Sequence, residues 1–444
     1  EQSYSKKQIL EMYASHAPFG GNVVGIRAAA LKYFNRRPEQ LSWAEAALLA
    51  VLPNAPALLY PGKNNTLLKQ KRDGLLAKLY REGVMSEDSY HLALAEPLPE
   101  KKFDIPTVAP HLLAKAYREK KGKVCPTYID GRLQKKINEI VERHTALLSQ
   151  NYIYNMAVLV AHVPTGEVRA YVGNSAPRKG SRGNDVDIVQ AVRSSGSILK
   201  PALYACMLQS GFILPGTLVP DIPSRFGSYS PSNFNRDFKG VVPARQALAQ
   251  SLNIPFVRLL KDYSYARFYD DLKQLGIRSL NRDADHYGLS LILGGAETSL
   301  WDICNLYGGM SAVLNHYNDR DGQYFDGEYS RLKVWEEYSG AEGQDEEEKN
   351  ISADRSVLKA SAIWQTMKAL EEVERPEMES GWKNFVSAMN LAWKTGTSFG
   401  FRDAWAVGVN PEYVIGVWVG NADGEGPKNL KDEYERMKQQ CCDK

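Results

Sequence analysis

The sequence predicts a multidomain chain in which an all-α region precedes an α+β domain built on a mostly antiparallel sheet. Three observations predict it. Apolar side chains recur at helical spacing over residues 6–81, two hairpin patterns frame residues 156–172 and 404–419, and the stretch between the hairpins is mainly helical in pattern. With 444 residues, the chain has room for two or three domains of ~150 residues each.

Ile9, Leu10 and Tyr13, then Ile26, Ala29, Ala30 and Tyr33, then Ala44, Ala47, Leu48 and Val51 mark successive helices of the first region. Gly20-Gly21 breaks this pattern, Pro53, Pro56 and Pro61 end it, and a final helix is expected around 72–81. Residues 86–125 carry Pro97, Pro99, Pro106 and Pro110 among charges, the composition of a surface linker, so a domain boundary is placed near residue 100. A helical pattern from Leu133 to Leu148 follows. Met156 to His162, a turn at Pro164-Thr165-Gly166-Glu167 and Val168 to Val172 then read as a hairpin. The second hairpin runs from Ala404 to Val409, turns at Asn410-Pro411-Glu412 and returns from Tyr413 to Val419. Between them, the acidic stretch Gly340 to Asn350 reads as a solvated loop.

Composition narrows the function classes. Hydrophobic residues make up 43% and charged residues 24% of the chain, as in ordinary globular proteins. A formal charge of +3, with no basic stripe, gives no footing for nucleic acid. Five cysteines (Cys125, Cys206, Cys304, Cys441, Cys442) lack CxxC spacing, so no metal site is read. The most apolar window, Ala44 to Tyr60, is interrupted by Glu45, Pro53, Asn54 and Pro56, which leaves no membrane span. With no initiator Met or signal peptide, the chain is expected to be a soluble fragment of a longer protein.

Chemistry concentrates in three short motifs. Ser-x-x-Lys occurs five times, at Ser3, Ser197, Ser330, Ser356 and Ser380; Ser-Leu-Asn occurs at Ser251 and Ser279; Lys-Thr-Gly occurs once, at Lys394-Thr395-Gly396. Nucleophile, Ser-x-Asn and Lys-Thr-Gly in that order are the signature of penicillin-binding proteins and class A β-lactamases. The order excludes Ser330, Ser356 and Ser380, and Ser3 lies in the all-α region. Ser197 remains, at the expected start of an apolar helix running through Ile198, Leu199, Ala202, Leu203, Cys206 and Met207. Residues three apart on a helix share a face, so Lys200 stands about one turn from Ser197. A serine hydroxyl needs a neighbouring base, and burial beside a second lysine would keep Lys200 partly neutral for that task. Ser251 would relay a proton to the departing amine and Asn253 would hold a substrate amide. Lys394 would supply a fixed positive charge for a carboxylate, with Thr395 and Thr397 as hydroxyl donors. The backbone N–H groups of Ser197 and Thr397 would form an oxyanion hole.

These residues carry a resemblance to class A penicillin-binding proteins, and among them to the 1C type. Arg193-Ser-Ser-Gly-Ser-Ile-Leu-Lys-Pro201, Ala247-Leu-Ala-Gln-Ser-Leu-Asn-Ile-Pro255, Leu293-Gly-Gly-Ala-Glu297 and Trp393-Lys-Thr-Gly-Thr-Ser-Phe-Gly-Phe-Arg-Asp-Ala-Trp-Ala-Val-Gly408 carry it across residues 156–421. Ser5 to Tyr13, Pro18 to Asn22, Gly25 to Ala29, Glu45 to Leu49 and Arg72-Asp-Gly-Leu-Leu76 resemble the second half of the family's lysozyme-like glycosyltransferase domain. The resemblance implies a truncated glycosyltransferase domain over 1–100, a linker and entry over 101–155, a penicillin-binding, β-lactamase-like transpeptidase domain over 156–426 and a charged tail over 427–444. The motifs that hold the family's two catalytic glutamates are not matched, so the glycosyltransferase part is expected to be inactive, with Glu11 and Glu45 stabilising helices.

The implied activity is D,D-transpeptidation: D-Ala-D-Ala stem peptides acylate Ser197, Gly396 belongs to the substrate-binding Lys-Thr-Gly strand, and glycan strands become cross-linked. The alternatives are an acyl-enzyme hydrolase, either D,D-carboxypeptidase or β-lactamase, or a sensor of β-lactams or muropeptides without turnover. The resemblance implies no cofactor for transpeptidation and admits a divalent metal in the parent's glycosyltransferase. Implied partners are peptidoglycan stem peptides, lipid II, β-lactam antibiotics and cell-wall synthesis proteins. The parent is expected at the periplasmic face of the bacterial inner membrane.

Overall fold

Residues 4–104, 107–227, 229–233, 237–336, 351–352, 356–373 and 391–426 are described by a computed structural model. The acidic stretch 340–350 and the tail 427–444 lie outside the described residues. Two compact units divide between Thr107 and Val108.

The first unit is helical, as its apolar spacing predicts. Its helices are α1 (Lys6–His16), α2 (Ile26–Phe34), α3 (Trp43–Val51), α4 (Asn65–Arg81) and α5 (Glu87–Ala95). Ser5 and Ser42 each form a reciprocal capping box with Gln8 and Glu45, and Ser86 caps α5, so three starts are written in the local sequence. Ala29, Ala30, Tyr33, Leu48, Leu49 and Leu68 close a small core. The helix expected at 72–81 begins at Asn65, about two turns earlier, because Leu68 as well as Leu76 turns into the interior. No residue of α1 is buried, and Leu10 and Tyr13 are exposed.

The linker reading of 86–125 needs correction. Ser86 opens α5, and Pro110 sits in the first turn of α6 (Pro110–Glu119), where its missing N–H costs nothing. Proline therefore starts a helix here rather than excluding one. His111 and Leu112 of α6 are buried.

The second unit centres on a sheet of five strands, β1 (Asn155–His162), β2 (Val168–Val172), β9 (Ala392–Thr397), β10 (Asp403–Val409) and β11 (Tyr413–Gly420). Their order is β2-β1-β11-β10-β9. Every pairing is antiparallel. Both predicted hairpins form, and Asn410 closes the second by accepting from the backbone N–H groups of Glu412 and Tyr413 at 2.9 and 2.6 Å. β1 joins them through β11, from Asn155 opposite Gly420 to His162 opposite Tyr413. Alternate β1 residues explain its apolar run. Met156, Val158 and Val160 pack under α7 (Gly131–Leu148), whereas Ala157, Leu159 and Ala161 join the main core on the opposite face.

That core is shared with α8 (Lys200–Gln209), α10 (Asn253–Tyr263), α13 (Leu300–Asp319) and the helix Ala360–Glu371. Short strands β4 (Leu218–Asp221) and β5 (Gly240–Pro243) pair beside α9 (Ala244–Ala249). Two further short pairs are β3 (Arg193–Ser194) with β6 (Glu297–Thr298) and β7 (Tyr324–Phe325) with β8 (Ile351–Ser352), and α11 (Tyr265–Gln274) and α12 (Ala284–Tyr287) follow α10. Among the described residues, no helix is long and apolar enough to cross a membrane.

Candidate active site

Ser197 does not open a helix. It lies in a tight turn before α8, with the N–H of Ile198 donating to Ser195 O at 3.2 Å and that of Lys200 donating to Ser197 O at 3.3 Å. Two residues force this. Gly196 takes a left-handed φ of 52°, and Pro201 is confined to the first turn of α8. Lys200 still lies one turn along, as the helical spacing requires.

Edge strand β9 holds the turn closely. A Cβ on Gly196 would lie 2.6–2.7 Å from the backbone of Thr397, and one on Gly396 would lie 3.0–3.1 Å from Ser195 O and Ile198 N. Only glycine at 196 admits this contact, which sets the backbone of the Ser197 turn against Gly396 and Thr397. From behind, Tyr307 Oη donates to Ile198 O at 2.8 Å and Trp405 Nε1 to Ser194 O at 2.9 Å.

Lys200 and Lys394 are both essentially fully buried. Lys200 Nζ donates to Ser251 O (2.8 Å), Leu252 O (3.1 Å) and Asn253 Oδ1 (2.7 Å). Lys394 Nζ donates to Ser251 Oγ at 2.7 Å and Thr395 O at 2.6 Å. Ser251, held at φ 54° at the end of α9, thus accepts from one lysine at its carbonyl and from the other at its hydroxyl. Ser197, Lys200, Ser251 and Lys394 gather in one region where the sheet edge meets the helices. Ser251, Lys394 and Thr395, with Lys239, Arg245 and Gln250, line a cleft of about 740 Å³.

Burial, and then the neighbouring charge of Lys394, push the Lys200 amine well below the ordinary lysine range. Three acceptors oppose that shift by favouring the ammonium, and burial outweighs them. A neutral amine has only two N–H bonds, so the base form of Lys200 releases one of its three acceptors. Burial also brings Lys394 down from the ordinary lysine range to about 7.

In the free site both polar atoms of the Asn253 side chain are engaged. Its Oδ1 is taken by Lys200, and its Nδ2 donates to Ser232 O at 2.8 Å. Thr395 and Thr397, on alternate positions of β9 from buried Lys394 and Gly396, are exposed. The motifs gave no notice of Tyr307, Trp405 or Asn233, whose contacts join segments far apart in the chain. Among the described residues, no group of three or more His, Cys, Asp or Glu side chains gathers to hold a metal ion.

Comparison with known proteins finds a family match within each unit. A transglycosylase family model matches residues 1–80, and the model of the penicillin binding protein transpeptidase domain matches residues 156–431. The chain belongs to the penicillin-binding protein transpeptidase family, in the class A form that pairs the two domain types. It is 33% identical to penicillin-binding protein 1C of Escherichia coli (strain K12), with 96% of this chain and 51% of that protein covered. Penicillin-binding protein 1F of Bacillus subtilis (strain 168) is 27% identical, with 95% and 58% covered. The chain spans about half the length of the curated relatives it matches.

Solved structures share the fold. Penicillin-binding protein 1A from Haemophilus influenzae matches with a TM-score of 0.59 at 16% identity, covering 96% of this chain and 82% of that one. PonA1 from Mycobacterium tuberculosis in complex with penicillin V matches with a TM-score of 0.51 at 21% identity, covering 72% and 84%.

Proposed function

We propose that the chain is a serine D,D-transpeptidase that forms an acyl-enzyme at Ser197 and takes up penicillin covalently. One observation carries the reading: two buried lysines meet on Ser251 beside the Ser197 turn. Neutral Lys200 takes the Ser197 proton as Oγ attacks the carbonyl of the penultimate D-Ala. A C–O bond forms, the C–N bond to the terminal D-Ala breaks, and Ser251 relays a proton to the leaving amine. Lys394, with Thr395 and Thr397, binds the terminal carboxylate, which favours the protonated lysine. The N–H groups of Ser197 and Thr397 stabilise the oxyanion. An amine of a neighbouring strand then attacks the acyl carbon and releases Ser197. In penicillin the broken C–N bond lies in a ring, so the leaving amine stays tethered and the acyl-enzyme persists.

Stem peptides and β-lactams are the partners of this site, lipid II and cell-wall synthesis proteins those of the parent. The parent works at the periplasmic face of the inner membrane. Transpeptidation calls for no cofactor, because every proton transfer has a side chain. Its glycosyltransferase activity, and any divalent metal serving it, belongs to the parent protein. Glu45, tied to Ser42 and Arg36, supports α3 and is not a candidate base.

Fluorescent penicillin labelling followed by mapping of the modified peptide tests the reading. Modification at Ser197 is expected, and labelling of another serine would overturn it. Burst kinetics on a thioester substrate, with and without a D-amino acid acceptor, separate transpeptidation from hydrolysis and from a sensor without turnover.

A further inference from the structure

Two polar side chains outside the three motifs are hydrogen-bonded at each of their polar atoms. Asp221, fully buried at the end of β4, accepts at Oδ1 from Asn233 Nδ2 (2.7 Å) and at Oδ2 from the backbone N–H of Lys239 (2.9 Å). Asn233, only 5% exposed, also donates to Asp237 O at 2.9 Å. Its Oδ1 accepts from the N–H groups of Asn253 (2.9 Å) and Ile254 (3.4 Å), the first two residues of α10. Leu252, the local cap residue, contributes no side-chain hydrogen bond. The start of α10 is therefore capped by an asparagine 20 residues earlier, itself gripped by a buried carboxylate.

We propose that Asp221 and Asn233 are positioning residues for Lys200: they lock the start of α10 so that Asn253 Oδ1 stays aimed at the Lys200 amine. The proposal rests on the acyl-transfer reading above. Asn253 Oδ1 is the one side-chain acceptor among the three that Lys200 uses, and so the one whose hold on the amine other side chains can adjust. A negative carboxylate relayed through Asn233 also suits a helix N-terminus. The surroundings of Lys200 are otherwise simple. Lys394 faces it from β9 as a charge, and Ser251 O, Leu252 O, Asn253 and the Phe256 ring, 5.5 Å away, face it as neutral groups.

Asn233→Ala, Asn253→Ala and the double variant are compared by the rate of fluorescent penicillin labelling and by the titration midpoint of Lys200, followed by NMR of ¹³Cε-labelled lysine. Each single change is expected to slow labelling about 10- to 100-fold and to lower the Lys200 midpoint, since an acceptor of the ammonium is lost or misplaced. The double variant should be no slower than the slower single one, because both act through one contact. Wild-type rate in Asn233→Ala, an unmoved Lys200 midpoint, or losses that multiply in the double variant would overturn the proposal. Should Asn233→Ala fail to fold, Asn233→Asp keeps an acceptor for α10 but turns no donor to Asp221; an intermediate rate is expected, and a wild-type rate counts against the Asp221 link. Absence of acylation at Ser197 in the wild type would defeat the acyl-transfer reading, while the Lys200 midpoint, which needs no acylation, would still decide the coupling.

Discussion

Lys200 and Lys394 meet on a single residue, Lys200 donating to the carbonyl of Ser251 at 2.8 Å and Lys394 to its hydroxyl at 2.7 Å. The two amines have opposite duties, since one must be neutral to take a proton and the other charged to hold a carboxylate. Lys200 is depressed by burial and by Lys394, whereas Lys394, depressed by burial alone, stands at about 7. The second-order rate of penicillin acylation should therefore be bell-shaped. It falls in acid as Lys200 gains its proton and in base as free Lys394 loses one. At saturating penicillin the basic limb should move to higher pH, because the bound carboxylate holds the Lys394 proton. Stopped-flow acylation from about pH 5 to about pH 10 checks this, and a flat profile would sink it.

Stability should carry the same signature. Lys394 titrates near 7 when folded against 10.5 as its ordinary value, so between these limits the unfolded chain binds more protons and stability rises with pH. The stabilisation is complete above the unfolded value and is lost as pH falls toward the folded one. Replacing the amine by Lys394→Met should remove up to about 1.4 kcal/mol per pH unit from that slope. Urea denaturation at intervals between about pH 7 and about pH 10 measures it. Equal slopes in the two proteins would contradict the burial of a neutral amine.

Gly196→Ala tests the seat of the nucleophile. The added methyl would stand 2.6–2.7 Å from the Thr397 backbone, at a φ of 52° that disfavours a side chain. The turn must withdraw from β9, separating the Ser197 and Thr397 N–H groups. A loss of acylation of at least about 100-fold is expected, with a stability cost of about 1–3 kcal/mol. Ser197→Ala, by contrast, should abolish labelling and leave the melting temperature nearly unchanged. A fast Gly196→Ala variant would show that the contact with β9 is dispensable.

Much of this site was legible because each motif is local. Ser197 and Lys200 are three apart, the Lys-Thr-Gly strand is a single run, and the hairpins close through turns whose residues announce them. What escaped the sequence is non-local. The pairing of β1 with β11 joins residues some 260 positions apart, the cap of α10 is supplied by Asn233, and Tyr307 and Trp405 brace the Ser197 turn from distant elements. The helix expected at Ser197 begins at Lys200 because Gly196 and Pro201 oppose helical backbone before it. The lowered pKa of Lys394 escaped for another reason: burial to 1% exposure is a tertiary fact that no motif contains.

Arg72 supplies a test confined to the first unit. Its guanidinium, 1% exposed, donates to Glu96 O at 2.6 Å and pairs with Asp73 at 2.7 Å, tying α4 to the end of α5. Glu96 in turn accepts from Ser42 Oγ through both carboxylate oxygens at 2.9 and 2.8 Å, so the contact reaches the start of α3. Arg72→Met keeps much of the aliphatic packing but leaves the Glu96 carbonyl without its donor, while Asp73 loses this pair and keeps Lys69 at 3.1 Å. The expected cost is about 2–4 kcal/mol within residues 1–107. Local opening should then expose this unit to protease at least about tenfold faster, since cleavage follows the population of the open form. Penicillin labelling at Ser197 should keep its wild-type rate, because the hydrogen bonds of Arg72 to Asp73, Glu96 and Leu94 lie within the first unit. Limited proteolysis with mass mapping, run beside the labelling assay, reads both outcomes. Cleavage of residues 1–107 at the wild-type rate would show that Arg72 does not hold α4 and α5 together.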